Sequence, residues 1–448
     1  MKQKKHDLIP FSFYDLTDIA RHLEKQAARG WMIEKISNFG WRYRAIPPQK
    51  LHFTATYYPP ASDFEPEPSD GELTFQDFCL HSGWKFAGSN GPLQVFYTDQ
   101  PDPLPIHTEP TEELRMIRKI ARKGLPFGFF MLIISLFGTY GGLATAVFEP
   151  IRFWANPSGL YGWITWCVLL VYFGADLFTY FRWTRRAKQA AGQGEFLPSP
   201  GCHKILLAGL CLVGLGLLFY LLSLIHQPFI LLIFFILILY MAFLCLAVNG
   251  IKKFLKKKKV SARLNLVLTL AVDLLLALGM MIGLTFGLIR LAGNGALSLS
   301  QLQAPLSLTQ LTSLEESEVR QSSYLEGSLL ASRSEYHQSP PLEEMARGLP
   351  SLDYTLLRTW LPLLEKPFLN QLYREGTELS PDFSEDTAEY CPIDASPWGA
   401  RKAYQLFWNG QPKDQYLLYW QGTLAQLEYD GQLGPEEKAL IGQALAGK

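Results

Sequence analysis

GCHKILLAGLCLVGLGLLFYLLSLIHQPFILLIFFILILYMAFLCLAVNGIKKFLKKKKV, residues 201–260, holds two long apolar runs, a break at His226-Gln227-Pro228 and a closing block of lysines. A bilayer core about 30 Å thick needs roughly 20 helical residues, because an α-helix rises about 1.5 Å per residue. The apolar run from 205 to 248 is too long for one crossing and suits two. Proline lacks a backbone donor and disfavours helix in the residue before it, so the break predicts a hairpin. Working outward, further apolar stretches complete a set of five expected spans: 125–147, 160–181, 205–225, 229–248 and 264–289.

The loops between these spans alternate in charge. Arg115, Arg118, Lys119, Arg122 and Lys123 precede the first span, whereas the loop 148–159 holds only Arg152 beside Glu149. The next loop carries Arg182, Arg185, Arg186, Lys188 and Lys204, and the break at 226–228 carries no Lys or Arg. Lys252, Lys253, Lys256, Lys257, Lys258, Lys259 and Arg263 fill the last loop. Positive residues favour the cytoplasmic side, so the pattern predicts a cell-membrane protein with a cytoplasmic amino terminus and an extracellular carboxy terminus. Lys2, Lys4 and Lys5 precede only a short, interrupted apolar segment, so no signal peptide is expected and the first span is its own insertion signal.

The formal net charge of zero conceals a division along the chain. Residues 1–124 hold 16 basic and 16 acidic residues, 125–290 hold 14 and 4, and 291–448 hold 11 and 21. The lysines at 252–259 admit a lipid-switch or nucleic-acid reading, but a position between two spans favours topology and contact with anionic lipid. Nucleic acid is further disfavoured by the balanced charge of the amino-terminal region. Of Cys79, Cys167, Cys202, Cys211, Cys245 and Cys391, only the last falls in the expected outer domain, which excludes a disulfide within it. The absence of CxxC and of zinc-spaced Cys/His sets leaves no metal or cofactor expected.

Residues 1–124 are expected to form a cytoplasmic α+β domain with an internal duplication. Leu16, Ile19, Ala20, Leu23 and Ala27 recur at helical spacing, with Ser12 or Asp15 as a cap. Helix, Gly-Trp, strand, turn and strand then occur twice, as ARGWMIEKISNFGWRYRA and HSGWKFAGSNGPLQVFYT. Trp31, Trp41 and Trp84 suit a core between helix and sheet better than a ligand platform. The stretch 59–70, rich in Pro, Ser, Asp and Glu, reads as a surface loop. The opening FSFYDLTDIARHLEKQAARGW and the later FQDFCLHSGWKF, together with the spans that follow, resemble the domain of unknown function 2812 family of Gram-positive bacteria. WGARKAYQLFWNG and QYLLYW near the carboxy end are similar to its longer members. That resemblance implies a bacterial multi-pass protein often met beside PadR-type transcriptional regulators, and it brings no catalytic residues.

Residues 291–340 read as a partly helical stalk, and 341–448 as an extracytoplasmic α+β domain. Within the latter, 350–374 has helix-like periodicity, 402–430 reads as a meander of strands, and a last helix opens at Pro435. The expected fold class is therefore a membrane α-helical bundle of five transmembrane helices flanked by two α+β domains.

Two carboxylates fall inside expected spans, Asp176 and Asp273. A charge in hydrocarbon costs about 2.5–3.5 kcal/mol on insertion scales, so such residues face a bundle interior or a wet cavity. One carboxylate per span is a thin ion pathway, and bonding to a neighbouring helix or basic group is the preferred reading. Gly279, Gly283 and Gly287, with Gly138 and Gly142, are spaced to let helices approach closely, within one bundle or between two copies of a homo-oligomer. No phosphate loop, zinc-protease, nucleophile-elbow or kinase signature occurs. The expectation is a non-enzymatic sensor or regulator acting through unidentified protein partners, with a transporter or accessory subunit using Asp176 and Asp273 as the alternative.

Overall fold

The computed structural model describes residues 4–7, 11–37, 40–201, 203–223, 228–293, 303–312, 314–315, 318–341, 348–377 and 387–446. It divides into two compact units, built mainly around the amino-terminal and carboxy-terminal domains, each with its own stretches of the apolar helices.

The first unit opens with β1 (Lys4–Asp7), α1 (Leu16–Ala28), β2 (Trp31–Lys35) and β3 (Trp41–Ala45). It continues with β4 (His52–Tyr57), α2 (Asp70–His81), β5 (Lys85–Asn90) and β6 (Leu93–Thr98). The sheets run β1-β3-β2 and β4-β6-β5, so the duplicated unit is strand-helix-strand-strand, one strand larger than its sequence signature. The repeats agree in detail. Each helix ends before a glycine in the left-handed region, Gly30 at φ 84° and Gly83 at φ 88°, which a side chain would strain. Each hairpin then breaks register two residues after its tryptophan, between Ile33 and Lys35 and between Phe86 and Gly88. Trp41 and Trp84 are buried, as their apolar surface demands.

Among the described residues, four helices are long and apolar enough to cross a membrane: Pro110–Phe148, Pro157–Gly192, Leu231–Lys257 and Ala262–Gly287. They belong to α3 (Pro110–Phe148), α5 (Pro157–Gly192), α7 (Pro228–Lys257) and α8 (Ala262–Gly293), with the short α4 (Pro150–Ala155) after α3. The expected span 205–225 falls on α6 (His203–Ser223), a shorter apolar helix over Leu207–Leu222 that is not one of these four, and on residues 224–225 outside the described residues. The hairpin expected at His226-Gln227-Pro228 lies outside the described residues except for Pro228, where α7 begins. Beyond the expected spans, α3 reaches back to Pro110 and α5 on to Gly192. Leu114, Ile117 and Ala121 of α3 and Tyr180, Trp183 and Ala187 of α5 are buried in one cluster with Leu23, Tyr43 and Phe53 of the amino-terminal domain.

The carboxy-terminal domain is a seven-stranded antiparallel sheet, β7 (Arg320–Gly327), β8 (Ala331–Ser339), β9 (Leu352–Thr359), β10 (Ala388–Ile393), β11 (Lys402–Trp408), β12 (Gln411–Trp420) and β13 (Thr423–Tyr429). Its order is β10-β11-β12-β13-β9-β8-β7. One face packs Leu356, Leu418 and Leu427 on Ile441 and Leu445 of α10 (Pro435–Leu445). The other packs Leu357, Leu417 and Leu424 on Leu364 and Phe368 of α9 (Pro362–Thr377), with Ile151 and Ala155 of α4 in the same cluster.

Two expectations are corrected here. The stretch expected as a stalk contributes two strands, and its leading segment is sewn into the domain: Leu308 N–H donates to Gln338 Oε1 at 2.7 Å, and Gln338 Nε2 donates to Leu306 O at 2.7 Å. The helix-like stretch 350–374 is strand β9 followed by helix α9. Leu356 and Leu357 lie in cores on opposite faces of β9, so a strand buried on both sides loses the alternation that would reveal it.

Candidate functional site: the seat of the amino-terminal domain on the apolar helices

The segment before α1, FSFYD, decides how the first unit is joined. Ser12 and Asp15 were the candidate helix caps, and neither side chain caps. Asp15 occupies the cap position but its Oδ2 accepts the Ser12 backbone N–H at 3.0 Å. Freed from the helix, Ser12 Oγ donates to Asp176 Oδ1 on α5 at 2.6 Å, and Tyr14 OH donates to the same oxygen at 2.8 Å. Burial, then the Asp176 carboxylate, push the Tyr14 phenol up, which keeps it a donor. Around this point Phe13 meets Tyr180 edge-on at 5.2 Å and Tyr14 stacks on Trp183 at 6.0 Å. Thr17 and Ser199 exchange hydrogen bonds, each backbone N–H to the other's hydroxyl. Asp15 is fully buried, and its Oδ1 has no hydrogen-bond partner among the described residues. Burial foremost, with Asp18 and Asp176 nearby, pushes its carboxyl up to about 7.

A second contact joins the 59–70 loop to α7 and α8. Lys252 Nζ lies 2.6 Å from Asp63 Oδ2 and 5.2 Å from the centre of the Phe64 ring. Asp63 is held in turn by the Gly91 N–H at 3.1 Å. Buried Asn265 donates to Phe64 O at 3.0 Å, and its Oδ1 accepts from Thr269 at 3.2 Å. Lys259 pairs with Glu67 at 3.1 Å between exposed side chains, a contact of small energy. The acidic loop and the lysine block are therefore complementary partners, a relation visible in their charges but not in their separation along the chain. Lys256 is drawn down by burial, whereas Lys258 lies over Phe254 at 5.9 Å. Lys253 and Lys257 have no ion-pair partner among the described residues.

The remaining singled-out residues separate into two groups. An added Cβ at Gly138 would stand 2.5 Å from the Trp166 ring, and one at Gly142 would collide with the Trp163 ring, so these glycines admit the indoles of α5. Gly279, Gly283 and Gly287 meet nothing within 4 Å among the described residues. Asp273 makes no hydrogen bond among the described residues and shares no partner with Asp176. Among the described residues no group of three or more His, Cys, Asp or Glu is placed to hold a metal ion.

The carboxy-terminal domain, taken alone, carries a groove of about 520 Å³ on the half of its sheet that α9 leaves bare, lined by Tyr324, Glu335, His337, Asp353 and Glu428 among others. His337 Nδ1 and Asp353 Oδ1 share a short hydrogen bond, and Asp353 stands directly across from Glu428. Burial, then Asp353 and Asp430, raise the Glu428 carboxyl.

Compared with known protein families, curated proteins and solved structures, the chain matches none.

Proposed function

We propose that the chain is a five-span protein of the cell membrane, amino terminus cytoplasmic and carboxy-terminal domain outside, acting as a non-enzymatic sensor or regulator through protein partners. The alternation of basic and neutral loops supports the orientation. Kinship with the domain of unknown function 2812 family belongs to the same proposal.

The observation that carries this reading is that the ends of two apolar helices, α3 and α5, build the amino-terminal core, while the short α4 between them builds a core of the carboxy-terminal domain. Ile117 and Trp183 lie in the core of the amino-terminal domain, and Ile151 and Ala155 in a core of the carboxy-terminal domain. Shared packing of this kind lets a shift of these helices be felt in each domain's close-packed core. The groove of the outer domain is the natural place for a signal to enter. A transporter using Asp176 and Asp273 is the weaker reading, because two hydroxyls of the amino-terminal segment occupy Asp176.

Hydrogen exchange on the full chain in lipid nanodiscs tests the coupling. Gln371 Oε1 accepts the Ile151 N–H at 2.7 Å, so Gln371→Ala loosens α4 from its domain. Faster exchange is expected at 148–155 and also at 11–18. A response confined to the carboxy-terminal domain would end the regulatory reading.

A further inference from the structure

The basic residues ahead of the first span do more than set orientation. Arg115, Arg118, Lys119 and Arg122 stand at i, i+3, i+4 and i+7, which places them on one face of α3. Leu114, Ile117 and Ala121, on the adjoining face, are buried in the core, so the helix cannot turn to disperse the charges. All four line a cleft of about 590 Å³ between α3 and α5, and Lys188 of α5 completes it. No carboxylate lines the cleft. Arg115 pairs with Glu112 at 2.9 Å, whereas Arg118, Lys119, Arg122 and Lys188 have no ion-pair partner among the described residues. Like charges at these spacings oppose helix formation, and an anion between them relieves that repulsion.

We propose that this cleft binds a phosphate-bearing anion, and specifically the headgroup of an anionic phospholipid. The source follows from position and rests on the membrane reading above. The first proposed span opens at 125, which puts Arg122 about 5 Å and Arg115 about 15 Å along the helix from the hydrocarbon edge. Headgroup phosphates lie in that zone, and Arg matches phosphate with paired N–H donors while Lys adds point charge. The cleft has the volume of a small-ligand site.

The test is native mass spectrometry of the full chain in detergent, titrated in turn with cardiolipin, phosphatidylglycerol and phosphatidylcholine. Retention of the two anionic lipids over phosphatidylcholine is expected. The triple variant Arg118→Gln, Lys119→Gln, Lys188→Gln should bind them about a hundredfold more weakly, taking about fivefold for each cation removed. Lys50→Gln with Lys413→Gln, exposed lysines outside both the cleft and the lysine block at 252–259, should leave binding unchanged. In the wild-type protein, acetylation of Lys119 and Lys188 should slow when anionic lipid is added, a readout that needs no variant. Equal retention by the triple variant, or unslowed acetylation, overturns the site. Inorganic phosphate protecting these lysines as well as lipid does would overturn the lipid as source. Carbonate extraction, scored separately, reports on membrane insertion itself, so a failure of that reading is distinguishable.

Discussion

Burial withdraws Asp15 from water, and the carboxylates of Asp18 and Asp176 add repulsion, so its carboxyl is pushed up to about 7 from an ordinary 3.8. Between those two values the folded form holds a proton that the unfolded form has released. Stability therefore falls as pH rises from about 4 to about 7, and stays at the lower level above that. Asp15→Asn should abolish the fall and stabilise the amino-terminal domain at about pH 8 by as much as about 4 kcal/mol. Urea unfolding followed by tryptophan fluorescence on either side of the window checks it; parallel pH dependence in both proteins would contradict the assignment. Asp176→Ala acts oppositely. It strands the hydroxyl of buried Tyr14 and that of half-buried Ser12, which costs about 1–4 kcal/mol, while Asp176→Asn keeps an acceptor and should cost less. Faster hydrogen exchange at 11–18 in the alanine variant is the expected sign. At this scale the sequence named Asp176 but not its partners, because Ser12 and Asp15 look like helix caps until α5 is beside them.

Among the helices, the two sets of glycines make opposite predictions. Gly142→Ala drives a methyl into the Trp163 ring close to its stem, so α3 and α5 must separate or the indole must leave its rotamer. A loss of about 1–3 kcal/mol is expected, as for other overpacked sites. Gly283→Ala has open space around it and should leave the thermal unfolding of the monomer unchanged. Thermal unfolding in detergent compares the two directly, and equal losses would refute the packing argument. The strands divide in the same way. The meander of β11 to β13 was legible, because turns with glycine at positive φ, Gly410 and Gly422, separate runs of strand-forming residues. The edge strand β7 was not, since only Glu326 of Arg320–Gly327 is buried and no apolar face marks it.

For the whole molecule, the prediction concerns sides. Asp414 and Lys50 are exposed. In a Cys391→Ser background, a membrane-impermeant maleimide applied to intact cells should label Asp414→Cys and spare Lys50→Cys until the membrane is opened. The reverse result would invert the proposed orientation. By itself the sequence determined the apolar helices, the charge alternation of their loops and the repeat of the amino-terminal domain. Each is written in hydrophobic period, charge or turn chemistry over a few dozen residues. Only tertiary structure decided that Asp176 receives Ser12 and Tyr14, that the acidic loop at 59–70 grips Lys252, and that α3 and Lys188 of α5 gather their cations in one cleft. Most of those partners lie more than a hundred residues apart, and no local pattern records which distant group will satisfy a buried hydroxyl or an uncompensated charge.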